Sequence, residues 1–388
     1  MSTLVRAAAD EARLLFTDAG VLIITIAAIV IYSFVYPVPY LNQVLRDVPV
    51  AVDDQDHTAL SRKLVEMVDA HQSVRVAARA ASANEAQDML RRGEVTGVLV
   101  VPRGFEQDVL SGRPAHVTAE VDASYLLAYS AVTGGILESA GTLSAGVEIV
   151  RLEARGLTRE AAMRARRPVG LDLRPLFNVS SGYATYVVPA VLVLILQQTL
   201  LIGIGMTGGA RRERMRAGRG LAIDAQGHPA LQVIGRAVPF LLLYAANATY
   251  YFGFVPHYYG YAQPGTGSAI ALLTVPFLLA TTMLGLALRP LFRRRETAMQ
   301  VLLFTSLPLV FVAGFAWPVE AMPAWLRSAA QAVPTTSAIP AYLRLMRMDA
   351  SLGDVAAEAS MLWTLVAVYF PLACVGEAFV KWDDRASL

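Results

Sequence analysis

Cysteine is nearly missing from this chain: Cys374 is the one instance, set in an apolar run. A single thiol supports neither an intrachain disulfide framework nor a cysteine-based metal site, and among apolar neighbours it reads as a small buried hydrophobe. Lysine is almost as scarce, with only Lys63 and Lys381, so arginine carries nearly all the positive charge. Neither lysine follows a glycine, so there is no G-x-x-x-x-G-K-[ST] loop and the chain does not hold ATP in the P-loop manner. No G-x-G-x-x-G follows a strand-like run, and no H-E-x-x-H, paired-cysteine or Ser/His/Asp grouping occurs. The histidines, His57, His71, His116, His228 and His257, are scattered. Charge is thin as well: 16% of residues are charged, against about 25% in an average soluble domain. The near-balanced net charge of +2 argues against a nucleic-acid partner.

What is present is apolar: 55% of the 388 residues are hydrophobic, with a mean hydropathy of +0.47. This is the composition of a membrane protein, and the charge is concentrated in the first third. Residues 4–16, LVRAAADEARLLF, put Leu4, Ala8, Ala12 and Phe16 on one helical face. They form either an amphipathic helix on the membrane surface, counted as residues 1–19, or an extension of the first span. The uncharged run in residues 20–37 is close to the roughly 20 residues a crossing needs. It is longer than a signal-peptide core and lacks an A-x-A site, so it reads as a retained anchor.

From residue 38 to 180 the pattern changes. Strand-like runs VPVAV, VRVAA, GVLVV and VTAEV alternate with helical segments such as LSRKLVEMVDAH, which argues for an inserted α/β domain. Asp53, Asp54 and Asp56 at the end of the first strand read as a polar turn and helix cap rather than a metal site. Residues 124–167 read as a long helical arm, with Arg164, Arg166 and Arg167 on a solvated face.

Residues 181–388 contain five more apolar runs, at about 183–207, 237–254, 268–288, 298–315 and 361–380. The fold class is therefore an α-helical polytopic membrane protein with about six transmembrane helices and an α/β domain between the first and second. RRERMRAGRG at 211–220 and RPLFRRR at 289–295 are strongly basic, whereas residues 256–267 contain no Lys or Arg. Cytoplasmic loops carry the basic excess, so both termini are expected inside and residues 38–180 outside. Few ionisable groups fall within the runs, which disfavours an ion-coupled transporter. Gln197 and Gln198 read as interhelical glue, and Glu377 lies near the inner end of the last span.

One stretch fits none of these categories. Residues 314–345, GFAWPVEAMPAWLRSAAQAVPTTSAIPAYLRL, are too proline-dense and too polar for another crossing. They read as a broken helix, about 316–345, at or dipping into one face. The pattern GF-x-W-P-x-E-x-M-P-x-W-L followed by V-P-T-T resembles the segment before the last span of ABC-2 type permeases, the membrane subunits of ATP-driven exporters. Gly314, Phe315, Pro318, Met322, Pro323, Trp325, Leu326, Pro334 and Thr335 carry the match. The layout is similar to the subgroup with a large extracytoplasmic loop, the YhhJ-, YbhR- and YbhS-like export permeases. That family's loop after the second span often reads R-E-x-x-x-G-T; here Arg212, Glu213 and Gly218 are present and the threonine is not.

The resemblance implies a transporter subunit rather than an enzyme. It binds no cofactor itself, with ATP and Mg²⁺ held by separate ABC ATPase subunits, and pairs with a second copy or a paralogous permease in a bacterial inner membrane. The substrate class is drug-like, lipid-like or polysaccharide. A HlyD-like periplasmic adaptor and an outer-membrane channel are further expected partners. The amino-terminal helix and residues 208–230 would rest on the ATPases, making Arg211, Arg212, Glu213, Arg214 and Gly218 the coupling candidates; topology and lipid-headgroup contact are the other reading of those arginines. Gly314 through Pro334 would line or gate an exit, or wedge the last two spans apart. A membrane receptor or assembly scaffold without an ATPase, and an ion-coupled transporter, are the alternatives.

Overall fold

Long uninterrupted apolar runs leave the backbone only one way to satisfy its own hydrogen bonds in lipid, the helix, and the chain uses it throughout. The computed structural model describes residues 3–41, 44–166, 174, 176–178, 182–217, 227–260 and 267–386, with side chains described up to residue 380. One unit comprises Met1–Gln43 with Leu176–Leu388, the other Val44–Pro175. The first begins with α1 (Thr3–Thr17). Among the described residues six of its helices are long and apolar enough to cross a membrane: Ala19–Tyr40, Val187–Arg216, Pro229–Tyr258, Gly267–Leu291, Arg295–Val312 and Ala356–Val380, here spans one to six.

The spans are not equivalent. Span two is almost wholly enclosed by the rest of the unit, whereas spans one, five and six turn most of their surface outward. Phe304, Leu307 and Phe311 on span five, and Leu372 and Val375 on span six, are exposed apolar side chains of the kind lipid or another chain covers. Polar side chains bridge the spans. Gln198 Nε2 donates to the Leu302 carbonyl of span five at 3.1 Å, as the reading of the glutamines as interhelical glue anticipates. Asn247 Nδ2 of span three donates to the Thr25 carbonyl of span one at 3.0 Å, and the Tyr251 hydroxyl to the Ile29 carbonyl at 2.9 Å. Thr25 lies in a π-helical turn, Ile23–Ala27, and π turns loosen the regular ladder and free carbonyls for such partners.

The second unit is a four-stranded sheet of order β2-β1-β3-β4, with β1 Val48–Asp54, β2 Val74–Arg79, β3 Gly97–Val101 and β4 Thr118–Val121. β1 runs parallel to both neighbours and β4 antiparallel to β3. Helices α2 (Ala59–Asp69), α3 (Ala83–Arg91), α4 (Phe105–Ser111), α5 (Leu126–Ala154) and α6 (Arg159–Arg166) complete it. Period-two alternation in β1 sends Val48, Val50 and Val52 to the face covered by α2, α4 and α5, while Ala51 meets Ala86 of α3 on the other. The acidic cluster after β1 is a turn and cap. Asp56 accepts from the backbone of Gly104 at 2.8 Å and Glu106 at 2.9 Å, Asp54 accepts from Ser61 Oγ, and Thr58 with Ser61 forms a capping box on α2.

After span five the chain breaks at Gly314, whose φ of +84° disfavours any side chain and whose Cβ would meet Val319 at 2.6 Å. A 3₁₀ turn, Val319–Ala321, leads into α7 (Ala324–Ala330), and α8 (Pro334–Arg347) follows. α7 is largely exposed, with Trp325 uncovered, but α8 is an interior helix packed on spans two, four and six. Its Tyr342 stacks on Phe252, with ring centroids 4.4 Å apart, and its hydroxyl meets Thr274 Oγ1 at 2.7 Å.

Candidate functional site

Charged side chains buried inside a membrane unit are costly unless paired, so the places where this chain buries them are where function is to be sought. One such place stands out, at the junction of α1 with the spans. The sequence puts an apolar stripe on Leu4, Ala8, Ala12 and Phe16; the structure corrects this. The buried residues of α1 are Ala7, Glu11, Leu14 and Leu15, and Phe16 is exposed. The inward stripe therefore carries a carboxylate at its centre, and Glu11 has no solvent exposure at all.

Two arginines from distant spans close on it. Arg211 Nη2, near the end of span two, donates to Glu11 Oε2 at 3.0 Å. Arg289 Nη2, at the end of span four, donates to the same oxygen at 3.2 Å. Burial pushes the Glu11 carboxyl upward, but Arg289, Arg211 and Arg236 outweigh it and hold the pKa at about 2, so Glu11 is ionised at every physiological pH. Arg236 of span three forms a second buried ion pair with Glu377 of span six. A third set lies beside these. Arg295, opening span five, donates from Nη1 to Asp18 Oδ2 at 3.1 Å and from its backbone N–H to Glu213 Oε1 at 3.1 Å. Asp18 also caps span one, accepting from the backbone of Gly20 at 3.0 Å. Through these contacts α1 and its hinge residue Asp18 are tied by ion pairs to spans two, four and five.

Two glycines make the close approach possible. A Cβ at Gly208 would lie 2.4 Å from Arg289 Cγ, and one at Gly209 would lie 2.3 Å from the Arg295 backbone nitrogen. The pair lets the Arg289 side chain and the opening of span five lie directly on span two.

Of the coupling candidates read from sequence, Arg211 and Glu213 belong to this junction. Arg212 is buried on the same helix, Arg214 is exposed, and Gly218 lies outside the described residues. The other predicted group does not join them. Gly314 follows the far end of span five, roughly 27 Å of helix from Arg295 at 1.5 Å per residue. In that group Phe315, Met322 and Pro334 are buried, Leu326 is half-buried, and Pro318, Pro323 and Trp325 are exposed. Pro334 opens α8, and the next residue, Thr335, donates its N–H to Gln197 Oε1 of span two at 3.0 Å. Sequence reading missed Glu11, Arg236 and Arg289. The one local signal was the pair Gly208-Gly209 beside a basic run, which marks backbone-close packing.

Among the described residues no group of three or more His, Cys, Asp and Glu side chains is placed to hold a metal ion. Six apolar helices with a buried ionic joint at the root of the first define a multi-pass membrane protein. Residues 19–375 match the family described as ABC-2 family transporter protein, and the chain belongs to that family. Its members are membrane subunits of ABC transporters, which work with an ABC ATPase and are not themselves the enzyme. No curated protein matches the chain.

Proposed function

We propose that this chain is the permease of an ATP-driven exporter in a bacterial inner membrane, and that ATPase motion reaches the spans through α1. The observation that carries the reading is Glu11: fully buried and bonded to both Arg211 and Arg289. A helix fastened this way does not slide over the spans; a push on it moves spans two and four with it. In this reading α1 and residues 208–230 rest on two ATPase subunits, both termini are cytoplasmic, and residues 38–180 are extracytoplasmic. The basic ends of spans two and four meeting α1 agree with that orientation. A second copy, or a related permease, pairs through the outward surfaces of spans one and five. A drug-like, lipid-like or polysaccharide substrate crosses along that interface, and the exposed Trp325 segment borders its exit. Enclosure of span two within its own chain gives it the part of transmitter rather than wall.

The test is co-purification followed by reconstitution. An ATPase should accompany the native protein, and transport should require ATP while ignoring the proton gradient. Replacing Glu213, or shortening 211–220, should leave ATP hydrolysis running while transport falls; transport at the wild-type rate would sink the coupling assignment. A protein that brings down no ATPase would instead be a scaffold or receptor.

A further inference from the structure

The α/β unit has a groove that neither the transport reading nor the family accounts for. It measures about 350 Å³ and lies between α2, α4, α5 and the segment 113–117, within the size range of small-molecule sites. Leu64, Phe105 and Leu143 form a buried floor, and Leu60, Val109 and Val147 stand half-open along the sides. One wall is a single stripe of α5: Ala140, Leu143, Val147 and Arg151, at helical spacing over about 16 Å. Ala140, Leu143 and Val147 supply its apolar part, Ser144 and Glu148 line the same helix beside them, and Arg151 ends it with a cation.

The charges around the groove differ in availability. Arg113 is engaged by Asp108, with its Nη2 2.6 Å and its Nε 2.8 Å from Oδ1. Arg151 has no side-chain partner among the described residues and is half-buried at the groove's end. Glu148, one turn back, is exposed at the rim. A guanidinium over an apolar trough fits a carboxylate bidentately, and Glu148 at the rim repels anions in proportion to their charge, so it penalises a dianionic head about twice as much as a monoanionic one. Two smaller pockets in the unit, about 200 and 140 Å³, mix valines and alanines with charged side chains of both signs, Glu66, Asp69 and Arg79 in one and Asp54, Arg62 and Arg79 in the other.

We propose that this groove binds a long-chain monoanionic amphipath, a fatty carboxylate, with the chain along Leu64, Phe105 and Leu143 and the head on Arg151. The proposal is independent of the ATP-coupling reading and stands whether or not that reading holds.

Photolabelling of the full-length chain in its membrane tests it. The probes are a fatty acid with a diazirine in its chain, and the alcohol and quaternary ammonium of the same chain length. Adducts are mapped by peptide mass spectrometry, and labelling of the lipid-facing spans serves as the internal reference. The carboxylate probe should label α2, α4 and α5 about fivefold more than the alcohol, the scale of one charged contact at a half-exposed site. Arg151→Glu should remove that preference and Arg151→Lys should keep most of it, while Val147→Trp, which fills the trough, should abolish labelling by all three. Equal labelling by the three head groups, carboxylate adducts confined to the spans, or a preference unchanged in Arg151→Glu would overturn the proposal.

Discussion

A carboxylate without solvent exposure stays charged only while its arginines stay beside it, and Glu11 should respond accordingly. Replacing it by Gln keeps the shape but leaves Arg211 and Arg289 facing a neutral group. Removing one partner of a buried pair costs about 3–5 kcal/mol; thermal unfolding in nanodiscs should show it, while exposed Arg13→Gln should stay within about 0.5 kcal/mol. The pH dependence has a definite sign. The folded pKa of about 2 lies below the ordinary 4.5. The stabilisation from Glu11 is therefore complete above pH 4.5 and lost as pH falls towards 2, and stability owed to it should be flat from pH 5 to 8. Acid titration of unfolding, compared between wild type and Glu11→Gln, checks this. Gly209→Ala should also destabilise, by about 1–3 kcal/mol as an overpacked contact, because its Cβ meets backbone that has little room to yield. Gly141→Ala on α5, with nothing within 4 Å, should be neutral or stabilising. Little of this was legible in the sequence. A glutamate between Asp10 and Ala12 reads as the polar edge of an amphipathic helix, and its partners lie 200 and 278 residues away.

At the scale of elements the sequence was more informative, where the physics is local. Apolar runs of spanning length announce spans, and the valine-rich alternations announce the strands of the sheet. Their ends were harder to place. Span three begins at Pro229 rather than near 237, since Arg236 lies inside the helix, paired with Glu377. The segment 316–345 reads as a broken helix at or dipping into one face; its second part, α8, is buried, and neighbouring helices meet its polar groups: Gln197 takes the Thr335 N–H and Thr274 the Tyr342 hydroxyl. Such bonds between spans are individually modest. Gln198→Leu should cost about 0.6 kcal/mol and no more than about 1.7, measured by unfolding in bicelles. If the exposed α7 borders an exit, Pro323→Ala or Trp325→Ala should slow export with ATPase assembly intact; unchanged export would leave the segment a wedge between the last spans.

Over the whole molecule, two facts stand together: membership of the ABC-2 transporter family, and an ionic joint that fastens the amino-terminal helix to spans two, four and five, beside the ion pair that joins span three to span six. The family match covers residues 19–375 and stops short of Glu11, so the residue argued to transmit motion came from geometry alone. The joint also sets an order of events during synthesis. Glu11 is made 200 and 278 residues ahead of its two partners. At about 5–20 residues per second, the second arrives roughly 14–56 s later. Throughout that interval the first helix carries a carboxylate that cannot yet be buried, so it waits at the water-facing surface and docks only when span four is complete. Ribosome-bound chains arrested before residue 289 should leave Glu11 open to aqueous carbodiimide, and chains arrested well beyond it should protect it.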